Sequence, residues 1–397
     1  MKNDFRTMML IVLCGVLSWS LAASAALSND LPVTGLAFSP DGKSLAAAIY
    51  SNQPRGPVMV WNVEDWSVRF IHRPPKGSVD VAFSTDSKLL AHGMRNGNIG
   101  ILRVSTGEMV RKIDAHTSEV SGVAFVPGDN HLISCSKDRT IKLWDVDEGK
   151  LVREFEGHSD AVSCVAVSPD GQKMLSSSHD KEARLWDLST GQVIEIFSSG
   201  MFIVRRVRFS SDGKFFVMSA YDGTSRIRET ATGTLRAKLS GSNCADLSID
   251  NRLAATCDHS SIAKVFAIDL EQPTDEQRQR FDHLIEEFKD DHYGIREAAM
   301  TEIGKMSMRM EPLVRAAMTS ADAEVRVRTR RLRNQLLAPE PIVKLKGHSG
   351  DLRIVRFSPD GRLLATACLG GDVKVWDSQT YSELVTLQAT PPEDENE

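Results

Sequence analysis

Several things are scarce in this sequence of 397 residues. Aromatic side chains make up only 6% of it, and 48 basic against 53 acidic side chains leave a net charge of just −5. Without a strong field of either sign, composition offers no reason to expect nucleic acid or a membrane surface as a partner. There is no G-x-S-x-G elbow, no H-E-x-x-H and no C-x-x-C-H for haem; Gly42-Lys43-Ser44 lacks the upstream glycine of a Walker loop. No catalytic motif, metal motif or cofactor motif stands out. No apolar run reaches the roughly 20 residues that a spanning helix needs. Apolar and charged fractions are ordinary for a globular chain, which excludes a fibrous or disordered one.

The apolar run that does occur is short and lies at the start. Lys2 and Arg6 precede Met8 to Leu21, and Ala23-Ser24-Ala25 follows with small residues. That order predicts a secretory signal peptide over residues 1–25, and hence an exported protein, periplasmic or secreted, with no stable membrane insertion after cleavage. Cys14 is preceded by Leu13, too bulky for the residue before a lipidated cysteine. Past the leader, Cys135, Cys164, Cys244, Cys257 and Cys368 fall in strand-like runs without a C-x-x-C pair. They read as small buried hydrophobes, a Cys244–Cys257 bridge remaining open.

Repetition is the strongest signal. Ser-Pro-Asp-Gly or a variant recurs at Ser39 to Gly42, Ser168 to Gly171, Ser210 to Gly213 and Ser358 to Gly361. Each is followed by Trp-Asp or a relic of it, at Trp61, Leu102, Trp144, Trp186, Arg228, Phe266 and Trp376. These marks are spaced by 41, 42, 42, 42, 38 and then 110 residues. Within a unit the alternation reads as four short strands, as in Val162–Val167, Met174–Ser178, Ala183–Trp186 and Val193–Phe197. Four such strands cannot bury both faces alone, but seven sheets stacked about an axis can.

A 40–45-residue period with Gly-His and Trp-Asp marks resembles the WD40 family. The resemblance implies an all-β, seven-bladed β-propeller of four-stranded antiparallel blades over 27–270 and 341–390, with a small all-α domain inserted at 271–340. It also implies a buried tetrad of His, Ser or Thr, Asp and Trp in each good blade. Here that pattern falls on His116, Ser134 or Ser136, Asp138 and Trp144, and next on His158, Ser176 or Ser178, Asp180 and Trp186; Ser136 and Ser178 are the serines assigned. Blade 7 keeps His348, Thr366 and Trp376 but has Gly370 in the aspartate's place, while blades 1 and 2 lack an aligned histidine. A Ser-His-Asp set that recurs from blade to blade reads as scaffolding rather than as a hydrolase. The mature chain is expected to build seven contiguous blades, with no strand shared between its ends.

The 110-residue step places the insertion between the third and fourth strands of blade 6. There the period changes to 3.6, with Phe281, Leu284, Ile285 and Phe288 as an apolar stripe after the cap-like Thr274. Asp290 to Ala299 and Ser320 to Arg328 resemble HEAT-type helical repeats. Arg326, Arg328, Arg330, Arg331 and Arg333 read as a solvated, salt-bridged face rather than a nucleic-acid site. The acidic tail, 391–397, is expected to be disordered.

A WD40 propeller is expected to hold proteins or peptides on its narrower face. On that face Met201 and Phe202 replace polar residues in the loop entering blade 5, Tyr221 lies in that blade's loop between second and third strands, and Arg205 and Arg353 begin two inner strands. Together they form a candidate patch for an acidic or carboxylate-bearing segment. The sequence therefore points to an exported, non-catalytic interaction scaffold without a cofactor; the alternative is a propeller that binds a small ligand or hydrolyses one in its central channel.

Overall fold

The computed structural model describes residues 31–50, 56–306 and 308–389. The signal peptide expected at 1–25 and the disordered acidic tail expected at 391–397 lie outside the described residues. Seven four-stranded antiparallel sheets follow one another as the blades of a propeller. Their inner strands are Val33–Phe38, Ser78–Phe83, Val120–Phe125, Val162–Val167, Val204–Phe209, Cys244–Leu247 and Leu352–Phe357. In every blade the four strands are consecutive in the chain and each pairs with the next. Among the described residues blade 1 and blade 7 share no strand, and side chains pack across the seam between them: Val33 and Leu36 of blade 1 join Leu352, Ile354 and Val355 of blade 7 in one buried cluster.

The Ser-Pro-Asp-Gly signal explains itself at the first turn of a blade. Ser168 Oγ donates to Asp170 Oδ1 at 2.5 Å and accepts from the Lys173 amide at 2.9 Å, while Asp170 Oδ1 accepts from the Gln172 amide. Gly171 takes the positive φ of 70° that closes the turn. The same serine–aspartate pair recurs at Ser39 and Asp41, Ser210 and Asp212, and Ser358 and Asp360. It also occurs at Ser84 and Asp86 and at Ser248 and Asp250, where Ser87 and Asn251 stand in for the glycine at φ near 60°. Those two turns lack the glycine and so escaped the motif.

Four helices interrupt blade 6 between its third strand, Ala263–Ala267, and its fourth, Val343–Leu345, which pair across the insertion. They are α1 (Asp275–Glu287), α2 (Tyr293–Lys305), α3 (Glu311–Ala317) and α4 (Ala323–Leu337). Thr274 and Gln277 form a capping box before α1, and Asp322 accepts two amides at the start of α4. Phe281, Leu284 and Phe288 meet Met300, Ile303, Val314, Val325 and Leu332 in a core separate from the blades. Arg296 and Arg326, thirty positions apart in sequence, each fold back onto two carbonyls just before their helix: those of Asp290 and Asp291, and those of Ser320 and Ala321.

The insertion is fastened to its neighbour blade by a buried ionic hub. Glu311, fully buried, accepts from Arg333 at 2.8 Å and lies 3.8 Å from Arg236, which is itself fully buried on the outer strand of blade 5. Arg236 also reaches Glu229 at 2.5 Å, and Arg315 donates to Thr234 in the third-to-fourth turn of blade 5. On α4, Arg328 pairs with Glu324 and Glu297 while Arg330 and Arg331 stay exposed. No helix among the described residues is long and apolar enough to cross a membrane.

Candidate functional site

In blade 3, Trp144 Nε1 donates to Ser134 Oγ at 2.9 Å, and Ser134 Oγ lies 2.7 Å from His116 Nε2. His116 Nδ1 faces Asp138 at 3.0 Å. Blade 4 repeats this with Trp186, Ser176, His158 and Asp180 at 2.8, 2.7 and 2.7 Å. The bridging hydroxyls therefore belong to Ser134 and Ser176, a correction to the assignment of Ser136 and Ser178. Both serines of a strand point to the same face, but the second lies roughly 6.6 Å further along, at the strand's end and beyond the tryptophan's reach. Ser136 and Ser178 instead accept the amides of Asp138 and Asp180 and donate to Ser118 and Asp160 carbonyls.

The protons follow from the partners. A carboxylate opposite Nδ1 requires a proton there, so a neutral imidazole accepts from serine at Nε2. Burial keeps His116 neutral by pushing it down to about 4, with Asp138 opposing. Asp138 is drawn below the usual carboxylate range: burial raises it, but hydrogen bonds from Thr140 outweigh that. Ser134 and Ser176 are fully buried and already accept an indole N–H, so neither can present a nucleophile to a substrate. The recurring Ser-His-Asp set is a structural brace.

Blade 7 completes its tetrad differently. His348 Nε2 meets Thr366 Oγ1 at 2.6 Å and Trp376 Nε1 donates to the same oxygen at 2.8 Å. With Gly370 in the aspartate's place, Asp372, two residues on, brings Oδ2 to 2.5 Å from His348 Nδ1. Blade 2 places His92 where the bridging serine would stand, 2.9 Å from Ser78 Oγ, and burial pushes it down to about 3.

These three good blades also carry the sequence match. Residues 107–145, 149–187 and 339–377 match the family of the WD domain, G-beta repeat. The chain is a seven-bladed β-propeller with three WD40-type repeats. An uncharacterized WD repeat-containing protein of Synechocystis is 36% identical over 115 residues, 28% of this chain and 32% of that one. Protein HIR1 of Kluyveromyces lactis is 32% identical over 125 residues, 28% of this chain and 14% of that one. Human WD repeat and SOCS box-containing protein 1 is 41% identical over 64 residues, 16% of this chain and 15% of that one. The matches span a third or less of those relatives' length.

WD40 proteins generally bind other proteins, and in this propeller the candidate residues of blades 5 to 7 lie together at one rim. Met201 is 82% exposed, Phe202 45% and Tyr221 37%. Arg205 Nη1 donates to Tyr221 Oη at 2.8 Å and to Asn243 Oδ1 at 3.2 Å. The Tyr221 ring stacks on His259 at 5.7 Å with 5° between planes. Burial pushes Arg205 down to about 10; Tyr221 opposes this while Arg353 and Arg206 add to it. Arg353 lies close enough to depress both Arg205 and His259, and its buried Nε makes no hydrogen bond. Asn243 and His259 join this cluster without standing out in the sequence, although Asn243 was legible, since it stands in the place of Arg205 and Arg353 just before the inner strand of blade 6.

The central channel holds more charge than Arg205 and Arg353 alone. Arg206 of blade 5 crosses it to donate to the Thr34 carbonyl of blade 1 at 2.7 Å, and lies 3.8 Å from Asp80 of blade 2. Arg208 pairs with Asp246 at 3.1 Å, whose second oxygen takes the Phe357 amide. Arg356 meets Cys244 Sγ at 3.0 Å and the Val355 carbonyl at 2.7 Å. Cys135, Cys164, Cys244, Cys257 and Cys368 are all buried and free, although Cys244 and Cys257 are cross-strand partners.

Proposed function

We propose that the protein is an exported, non-catalytic scaffold whose narrower face holds an acidic or carboxylate-bearing segment of a partner protein. One observation carries this reading: Arg205, Tyr221, His259, Asn243 and Arg353 converge from blades 5, 6 and 7 beside the exposed Met201 and Phe202. Two guanidinium groups supply the charge, and the planar apolar groups supply the desolvated anchor of an interaction hot spot. Export rests on the charge, apolar run and A-x-A order of residues 1–25. The insertion fits a HEAT-like pair, in which Arg296 and Arg326 play the same role thirty residues apart. Its exposed Tyr293 and Val327 offer a second place for a partner. The channel is less suited to a small ligand or to hydrolysis, because Arg206, Asp80, Arg208 and Asp246 are engaged with one another or with main chain.

Affinity capture with the mature protein, run beside a Phe202→Ala, Arg205→Glu variant, tests the reading. Specific proteins retained by the first and lost by the second, at equal melting temperature, support it. Retention unaffected by the two changes removes this face as the site. Co-purification of a small molecule without protein favours the channel instead.

A further inference from the structure

Blade 7 departs from blades 3 and 4 at three positions of one corner, and the three changes converge. Where blade 3 has Ser136, Asp138 and Thr140, blade 7 has Cys368, Gly370 and Asp372. The result gathers a histidine nitrogen, a thiol and a carboxylate, whose donor atoms all lie within 4.8 Å of one another. Cys368 Sγ is 2.7 Å from Asp372 Oδ1 and accepts the Gly370 amide at 3.2 Å. His348 Nδ1 and Asp372 Oδ2 face each other as a close pair at 2.5 Å, yet among the described residues neither atom has the angular geometry of a hydrogen bond. Both side chains are more than nine-tenths buried. In blades 3 and 4 the equivalent imidazole nitrogen is hydrogen-bonded to its aspartate.

We propose that His348 Nδ1, Cys368 Sγ and Asp372 form a site for a borderline-soft divalent cation of the Zn2+ type. Imidazole, thiolate and carboxylate are the ligands such an ion takes, three from protein leaving a fourth position for water. The exposed Ser349, whose hydroxyl also donates to Asp372, marks the side open to solvent. Gly370 is needed for the crowding: a Cβ there would sit 2.1 Å from Ser349 Oγ. The histidine can spare its Nδ1 lone pair because its other nitrogen has a relay. With the proton on Nε2, His348 donates to Thr366 Oγ1, whose own hydroxyl lies 3.4 Å from the Lys374 carbonyl. A ligating histidine is oriented by such a second partner. Bonds of about 2.0–2.3 Å in a tetrahedron hold ligands roughly 3.3–3.8 Å apart, so the site opens by about 1 Å on loading. The thiol proton leaves to solvent as the ion binds.

Titration of the intact protein with Co2+ alone reads the site through the thiolate-to-metal charge-transfer band. One equivalent is expected, with the band abolished by Cys368→Ser and affinity weakened at least tenfold by Asp372→Asn. Cys368→Ser is a mild change, since blades 3 and 4 carry serine there. In the unmodified protein, Zn2+ is expected to shield Cys368 selectively from alkylation in mild denaturant, a readout that needs no variant. Binding without a thiolate band, binding unchanged by Cys368→Ser, or no protection of Cys368 overturns the proposal.

Discussion

Arg206 Nη2 donates to the carbonyl oxygen of Thr34 at 2.7 Å, joining residues 172 positions apart from opposite sides of the channel. The same guanidinium faces Asp80, whose carboxyl burial pushes up and Arg206 and Arg356 draw down. The ring is thereby tied through its centre. Arg206→Met leaves Asp80 buried and short of its partner, and is expected to lower unfolding stability by about 3 kcal/mol. Urea denaturation measures this, and Asp80→Asn in the same background is expected to recover part of the loss. A variant as stable as the parent would mean that the tie contributes nothing.

The buried imidazoles set a pH dependence. Burial pushes His92 to about 3 and His116 to about 4, and lowers His72, His179 and His259 as well. All five resist protonation more when folded than when unfolded, where an imidazole takes up a proton at about pH 6.5. The unfolded chain therefore binds more protons below that value, so stability is full above pH 6.5 and falls as the pH drops from 6.5 towards 4. Denaturation midpoints measured from pH 7.5 to 4.5 check it; a flat profile would mean that the histidines are not held neutral.

The two serines of blade 3 are separable. Ser134→Ala strands the Trp144 indole N–H and alters the environment of His116 at once, and should cost about 2–3 kcal/mol. Ser136→Ala removes a turn hydrogen bond and should cost about 1 kcal/mol. Equal losses in thermal or urea unfolding would contradict the geometry of the bridge.

Glu311 binds the insertion to blade 5. Glu311→Leu leaves the buried charge of Arg236 with Glu229 and the Leu270 carbonyl as its partners, at a cost of about 3 kcal/mol to docking. Limited proteolysis is expected to cut within 271–340 well before the blades. Cleavage that spreads evenly along the chain would show that the hub does not hold the helices in place.

The repeat was legible because turn chemistry and strand period recur together: Asp170 and Gly171 mark the same turn as Asp360 and Gly361. The insertion showed through the change to a 3.6 period after Thr274. What could not be read was geometry between distant residues. Ser134 and Ser136 share one strand, and only the position of Trp144 on the neighbouring strand selects between them. Asp372 fills the gap left by Gly370 through a turn whose register the motif does not specify. Arg206 and Asp80 lie in ordinary inner strands, and their meeting depends on the ring being closed. His259 reached the rim site only by stacking on Tyr221 from the next blade.

Every blade among the described residues is built from four consecutive strands, so none draws strands from both sides of the seam between blades 7 and 1. Leu31 passes within about 3 Å of a side chain built on Gly371, and the amide of Ala389 donates to the Gly371 carbonyl, so both positions meet at one seam. A short linker from Ala389 to Leu31, with a new opening in any blade-to-blade loop, yields a circular permutant with the same seven sheets. The seven loops are alternative starting points for one closed molecule, and a set of such permutants would show which pair of blades must be continuous for the ring to assemble.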